Sequence, residues 1–333
     1  MTDPFVIEIT RGARVESRHR GAVAVVDAAG RPVFSRGDLE AAIFPRSAVK
    51  IFQAIPLVES GAADAYGFGE RELSLACASH SGEDGHVALA GDMLARAGLE
   101  EGALECGCHW PFDLPVALDL ARRGGAPRPL GNNCSGKHAG FLCTAVHLGE
   151  ATAGYVEAGH AVQKRVKGVI EALARTRLDA DSCGTDGCSI ATYAAPLAAF
   201  ARGFASLASG EGVEPARAEA GRRLMAACMA EPWDMSGTGR ACAALMQAAP
   251  GRVFAKTGAE GVFCGTVPEL GLGFALKVED GATRASEAGV AATLAAILRD
   301  HDPALSERYD ALSRKTMRNW EGRETGEIRP TGF

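Results

Sequence analysis

The strand-like segments of this chain lie at its two ends and the helical segments lie between them, so the two ends must meet if one sheet is to form. Residues 5–9, F-V-I-E-I, are apolar with alternation, and residues 21–35 read as two strands around a D-A-A-G-R turn. Strand patterns return only after Arg252, in R-V-F-A-K-T-G, E-G-V-F-C-G-T-V and L-G-F-A-L-K-V-E-D. A D-G turn and a closing helix over about residues 284–299 follow. Helical spacing between the two ends predicts helices over 47–60, 85–97, 136–147, 161–175, 194–208 and 216–229. The expected architecture is α/β: an antiparallel sheet with flanking helices, plus a helical lobe. Its parts are a sheet-containing domain of residues 1–60 and 240–300, a mainly helical lobe of 61–239, and a C-terminal extension of 301–333. The first and last helices are expected to pack on the sheet. Residues 319–333, without any apolar period, are expected to be disordered.

At 333 residues the chain has room for two domains, or for one with an insertion. A net charge of −6 implies no basic face, which argues against nucleic acid as a partner. The first residues, M-T-D-P-F-V-I-E-I, lack the basic and apolar regions of a secretory leader. The apolar run at 288–298 is too short to span a bilayer, so no membrane association is expected. Ten cysteines without dense, regular spacing read as reduced thiols in a cytoplasmic protein.

Only seven residues of the chain are lysines, although lysine and arginine together number 35. A lysine here invites a chemical question, because its amine can lose a proton and a guanidinium cannot. Ser47 and Lys50 form S-A-V-K at a predicted helix start, where positions i and i+3 share a face. A neutral amine one turn away can take the serine proton. The spacing alone is common by chance. Lys256-Thr257-Gly258 on a late strand makes it more specific, because S-x-x-K followed by K-T-G is the order found in serine β-lactamases and penicillin-binding proteins.

Ser79 lies in C-A-S-H-S-G-E, either as a hydroxyl offered to a ligand or as a loop residue beside a Ser81/Asp84 capping box. Cys134 and Lys137 flank a helix start, and a second loop, residues 183–188, holds two thiols and Asp186. Thiolates suit zinc, yet free cysteines are more often small buried hydrophobes, and no C-x-x-C pair is present. The eight histidines form no H-E-x-x-H pair, and G-x-S-x-G, G-x-G-x-x-G after a strand and Walker loops are all absent.

Six blocks occur in order: I-F-P-R-S-A-V-K, L-A-C-A-S-H-S-G-E-D, N-N-C-S-G-K-H-A-G, G-T-D-G-C-S-I, V-F-A-K-T-G-A and K-V-E-D-G. Together they resemble the rhizobial-type (thermolabile, class 3) L-asparaginases over about residues 11–298. The resemblance implies a fold like the serine β-lactamases and glutaminases, and hydrolysis of L-asparagine to L-aspartate and ammonia. It implies two serine–lysine pairs, Ser47 with Lys50 and Ser79 with Lys256. It also implies zinc held by Cys134, Lys137 and Cys188, with Asp186 beside it. Substrate contacts are expected at Arg46, His80, Asn133 and Lys137, and the assembly is expected to be a homodimer. The alternatives are a glutaminase or broader amidase, a penicillin-recognising serine protein, and a structural zinc protein with a degenerate site.

Overall fold

The computed structural model describes residues 3–333. Strands β1 (Phe5–Arg11), β2 (Arg14–Val26) and β3 (Pro32–Arg36) open the chain. Helices α1 (Lys50–Glu59), α2 (Glu70–Ala76), α3 (Asp84–Arg96), α4 (Ser135–His147), α5 (Ala161–Ala174), α6 (Leu197–Ser209) and α7 (Pro215–Ala230) follow. Strands β4 (Phe254–Gly258), β5 (Val262–Val267) and β6 (Leu272–Val278), helices α8 (Thr283–Leu298) and α9 (Pro303–Ser313), and strands β7 (Lys315–Arg318) and β8 (Glu324–Thr331) complete it. Two compact units result: Met1–Ala48 with Ala195–Glu211 and Leu245–Phe333, and Val49–Ala194 with Gly212–Ala244.

The first unit contains the antiparallel sheet, in the order β7-β8-β1-β2-β6-β5-β4 with β3 paired to β2. The join between the chain ends is the register of β2 on β6, from Val26 opposite Gly273 to Gly21 opposite Val278. Ala201 of α6 approaches the backbone at Gly273, while Gly289 of α8 meets Leu276. Residues 273 and 276 point to opposite faces of their strand, so α6 and α8 cover opposite faces of the sheet.

Three expectations are corrected here. Helix α6, rather than the first helix, shares the sheet with α8. Every residue of α1 from Lys50 to Leu57 is buried, and a helix buried all round belongs inside a helical unit. The C-terminal residues are ordered: β8 pairs with β1, Ile9 opposite Ile328. Glu8 accepts from Arg18 of β2 (3.1 Å) and from Arg329 of β8 (2.8 Å), and the Phe333 ring lies 5.1 Å from Phe5. Backbone pairing and cross-strand charge stabilise β8, and only Ile328 of its eight residues is buried, so no apolar alternation marks it. Strand β2 begins at Arg14, several residues before its apolar half, for the same reason.

The second unit is mainly helical, around α1 and α4. Helix α4 is buried from Ser135 to Ala145. A Cβ at Gly136 would lie 2.4 Å from Leu75 O, so only glycine lets α4 approach the end of α2 this closely.

Candidate active site

Lys50 opens α1 with its side chain fully buried. A lysine amine removed from water needs hydrogen-bond partners, and three converge on it. Its Nζ donates to Ala78 O, to Ser79 Oγ at 3.1 Å and to Cys134 Sγ at 3.1 Å. Ser79 sits just beyond the C-terminus of α2, and its N–H is held by Met235 O at 3.0 Å. Cys134 is the residue before α4. The helix starts of α1 and α4 and the end of α2 thus meet at one amine.

A second amine lies one turn along α4. Lys137, also buried, donates to Cys188 Sγ at 3.0 Å, and Cys188 approaches Asp186 Oδ2 at 3.2 Å. Cys188 and Asp186 belong to the tip between two short paired strands, Cys183–Thr185 and Ala191–Tyr193. A hydrogen bond from Cys188 holds the Cys134 thiol well below the usual thiol range, and the ammonium groups of Lys50 and Lys137 add to this against the cost of burial. The same bond, with burial, pushes Cys188 up. Burial opposes the charge on Lys137, but Cys188, Cys134 and Asp186 outweigh it and raise its pKa. Among the described residues no group of three His, Cys, Asp or Glu side chains is placed to hold a metal. A metal at this cluster therefore depends on Lys137 as a donor.

His80 continues the Ser79 loop. Its Nδ1 accepts from Gly82 N–H (3.1 Å), so its proton sits on Nε2, which donates to Ser135 Oγ (2.9 Å). Burial, with His86, Lys50 and His109 nearby, holds His80 well below the ordinary imidazole range, so it is neutral. The proposed Ser81/Asp84 cap is not formed. Ser81 Oγ donates to Ser236 O at 3.1 Å, and Glu83 precedes α3 while accepting from Thr238 N–H at 2.8 Å.

Arg46–Val49 form a 3-10 turn that carries Ser47 and leads into α1. Arg46 has φ 51°, the left-handed region that a side chain enters only at a cost. Strand β4 runs against this turn: a Cβ on Gly258 would lie 2.4 Å from Pro45 O and 3.1 Å from Ala48 N. The glycine of K-T-G is thus a close-approach residue. Lys256, on the same strand and buried, donates to Thr257 O at 2.9 Å.

A family model described as L-asparaginase II matches residues 7–330. The chain belongs to the L-asparaginase II family. No curated protein matches its sequence significantly. Among solved structures it is similar to Mglu in its glutamate form (14% identity, 86% of this chain, 61% of that chain, TM-score 0.45). It is also similar to a β-lactamase from Mycobacterium bovis (13% identity, 88% and 94% covered, TM-score 0.42). A third similarity is to a mutant of simvastatin synthase from Aspergillus terreus (11% identity, 87% and 93% covered, TM-score 0.41). The chain spans 61–67% of the length of three Mglu chains.

The second unit thus gathers Lys50, Ser79, His80, Cys134, Lys137, Asp186 and Cys188. Asn133 joins them through its carbonyl, which accepts from His80 N–H at 3.1 Å. The first unit carries Arg46, Ser47 and Lys256. Sequence reasoning passed over the ring stack behind His80. His86 stacks on His80 at 4.9 Å and on Trp233 at 4.1 Å. It also passed over Tyr155, whose OH meets His138 Nδ1 at 2.7 Å. No spacing rule links His86 to Trp233 or His138 to Tyr155, so local pattern carried no signal for either contact.

Proposed function

We propose that this asparaginase hydrolyses L-asparagine to L-aspartate and ammonia by serine acyl transfer, as an enzyme of the rhizobial type. The observation that carries the serine–lysine reading is the buried Lys50 amine, 3.1 Å from the Ser79 hydroxyl. A neutral lysine amine beside a serine hydroxyl can act as the base that activates it. Ser47, three residues before Lys50, attacks the side-chain amide carbon of asparagine as its proton passes to the Lys50 amine. The tetrahedral oxyanion is held by backbone N–H groups, that of Ser47 and one from β4. Ammonia leaves with a proton relayed by Ser79 and Lys256, and water then hydrolyses the aspartyl ester. Arg46, His80, Asn133 and Lys137 bind the substrate.

A second reading makes Ser79 the acylated serine, favoured by its contact with Lys50. Ammonia release separates the two. Ser47→Ala and Lys50→Met are each expected to abolish turnover with the fold retained, and the double variant should be little worse. A tenth of the wild-type rate surviving in Ser47→Ala transfers the nucleophile to Ser79. Glutamine turned over as fast as asparagine sinks the substrate assignment.

Zinc belongs to the same proposal. Two sulfurs and an amine converge at Cys134, Cys188 and Lys137, a donor set that suits zinc, with Asp186 placed to accept a hydrogen bond from a ligand. A bound ion would supply a fixed positive charge beside the substrate loop. Lysine ligation requires its amine to give up a proton to the solvent. The homodimer rests on the family resemblance. The cytoplasmic location rests on the spacing of the ten cysteines. No helix of the described residues is long and apolar enough to cross a membrane.

A further inference from the structure

Residues 107–125 leave the second unit as a strap. Gly107 and Gly124 mark its ends, both with left-handed φ (71° and 72°), which glycine adopts without strain. Between them runs the helix Leu114–Arg122, started by Asp113 accepting from Val116 N–H, and none of its residues is buried. Phe112 and Leu114 are 59% and 67% exposed. Such a segment has little packing to fix it and is stabilised by a few attachments. The attachments all lead to the loops of the candidate site. Pro111 is buried against Gly82, Asn132 Nδ2 donates to Cys106 O and Gly107 O, and Arg123 pairs with Asp84. The fourth is His109.

His109 Nδ1 donates to Trp110 O at 2.7 Å, which fixes its proton there, and leaves Nε2 to accept from Asn133 N–H at 3.1 Å. Asn133 Oδ1 lies 3.3 Å from the same nitrogen. Phe112 stacks on the imidazole at 4.4 Å and 13°. Asn133 passes the constraint on, because its carbonyl accepts from His80 N–H. The order His109, Asn133, His80 therefore runs from an exposed strap into the buried site.

We propose that His109 is a positioning residue for this enzyme: carried on the strap, it fixes the backbone of Asn133 and so sets how tightly asparagine binds. The inference rests on Asn133 being a substrate-binding residue. With its N–H held by His109, Asn133 presents its side-chain amide from a fixed backbone. His109 makes no bond to the reacting atoms, so its loss weakens substrate binding more than the chemical step.

The test measures kcat and KM for asparagine, with melting temperature, in the full-length enzyme carrying His109→Ala, His109→Gln, Phe112→Ser or Asn133→Ala. His109→Ala is expected to raise KM about fivefold, the size of one ordinary hydrogen bond, with kcat within about twofold of wild type. His109→Gln should recover most of this, because its carbonyl oxygen can accept from Asn133 N–H. Phe112→Ser, at an exposed position, should shift KM the same way by a smaller factor while folding normally. A raised KM in Asn133→Ala with none in His109→Ala overturns the positioning role alone. An unchanged KM in Asn133→Ala overturns the substrate role of Asn133 and the inference with it. Equal losses in kcat and KM, with a lowered melting temperature that His109→Gln leaves uncorrected, would reduce His109 to a structural residue and also overturn it.

Discussion

Gly258→Ala adds one carbon to the K-T-G strand and nothing else. Gly258 does not adopt a left-handed φ, so alanine suits its backbone and the effect is purely steric. The new Cβ falls 2.4 Å from Pro45 O and 3.1 Å from Ala48 N, backbone atoms on either side of Ser47. Ordinary contact is about 1 Å longer than the first of these. Neither atom is the end of a flexible side chain, so strand or turn must move by about that amount. A displacement of ~1 Å at a catalytic group costs on the order of 100-fold in rate. Overpacking at a tight contact costs about 1–3 kcal/mol of stability. Ammonia release and thermal melting read the two effects separately. Gly102→Ala is the control, because a Cβ there meets nothing within 4 Å. Gly258→Ala retaining the wild-type kcat and melting temperature would refute the argument that this glycine holds the Ser47 turn in place.

The purified enzyme is expected to carry about one zinc per chain, and chelation or Cys188→Ala should weaken asparagine binding while largely keeping the maximal rate. Metal-free protein whose asparagine affinity is unchanged in Cys188→Ala rules the site out. Acid should destabilise the second unit, because burial holds His80 and His86 below the ordinary imidazole range. In the unfolded chain both titrate near ~6.5, so below that pH the unfolded state binds more protons. Stability is therefore full above ~6.5 and falls as pH drops toward the folded values, by up to about 1.4 kcal/mol per pH unit per histidine. Urea titrations at neutral and mildly acid pH measure this, and a flat profile contradicts it. Removing residues 315–333 takes away β7 and β8 and leaves β1 as an open edge, so the melting temperature should fall and aggregation rise. An unchanged melting curve would mean that the C-terminal strands add nothing to the sheet.

What the sequence determined by itself is the set of elements with one apolar face. The helices at 84–96, 135–147 and 161–174 and the strands at 254–258, 262–267 and 272–278 lie within a few residues of their expected places, because burial of one side imposes a period that any window reveals. Lys50 and Lys256 stood out for a similarly local reason, as scarce amines in S-x-x-K and K-T-G. Residues 14–20 and 324–331 pair through backbone and through Glu8, Arg18 and Arg329, interactions that leave no period to read. Tertiary structure alone decided that Lys50 meets Ser79 and Cys134, that His86 and Trp233 stand behind His80, and that His109 reaches Asn133. It also gave Gly136 and Gly258 their reason, the backbone of another element where a Cβ would go. A contact between residues far apart in the chain is fixed by how helices and strands pack, and packing depends on the shapes of both partners, which neither segment's own sequence contains.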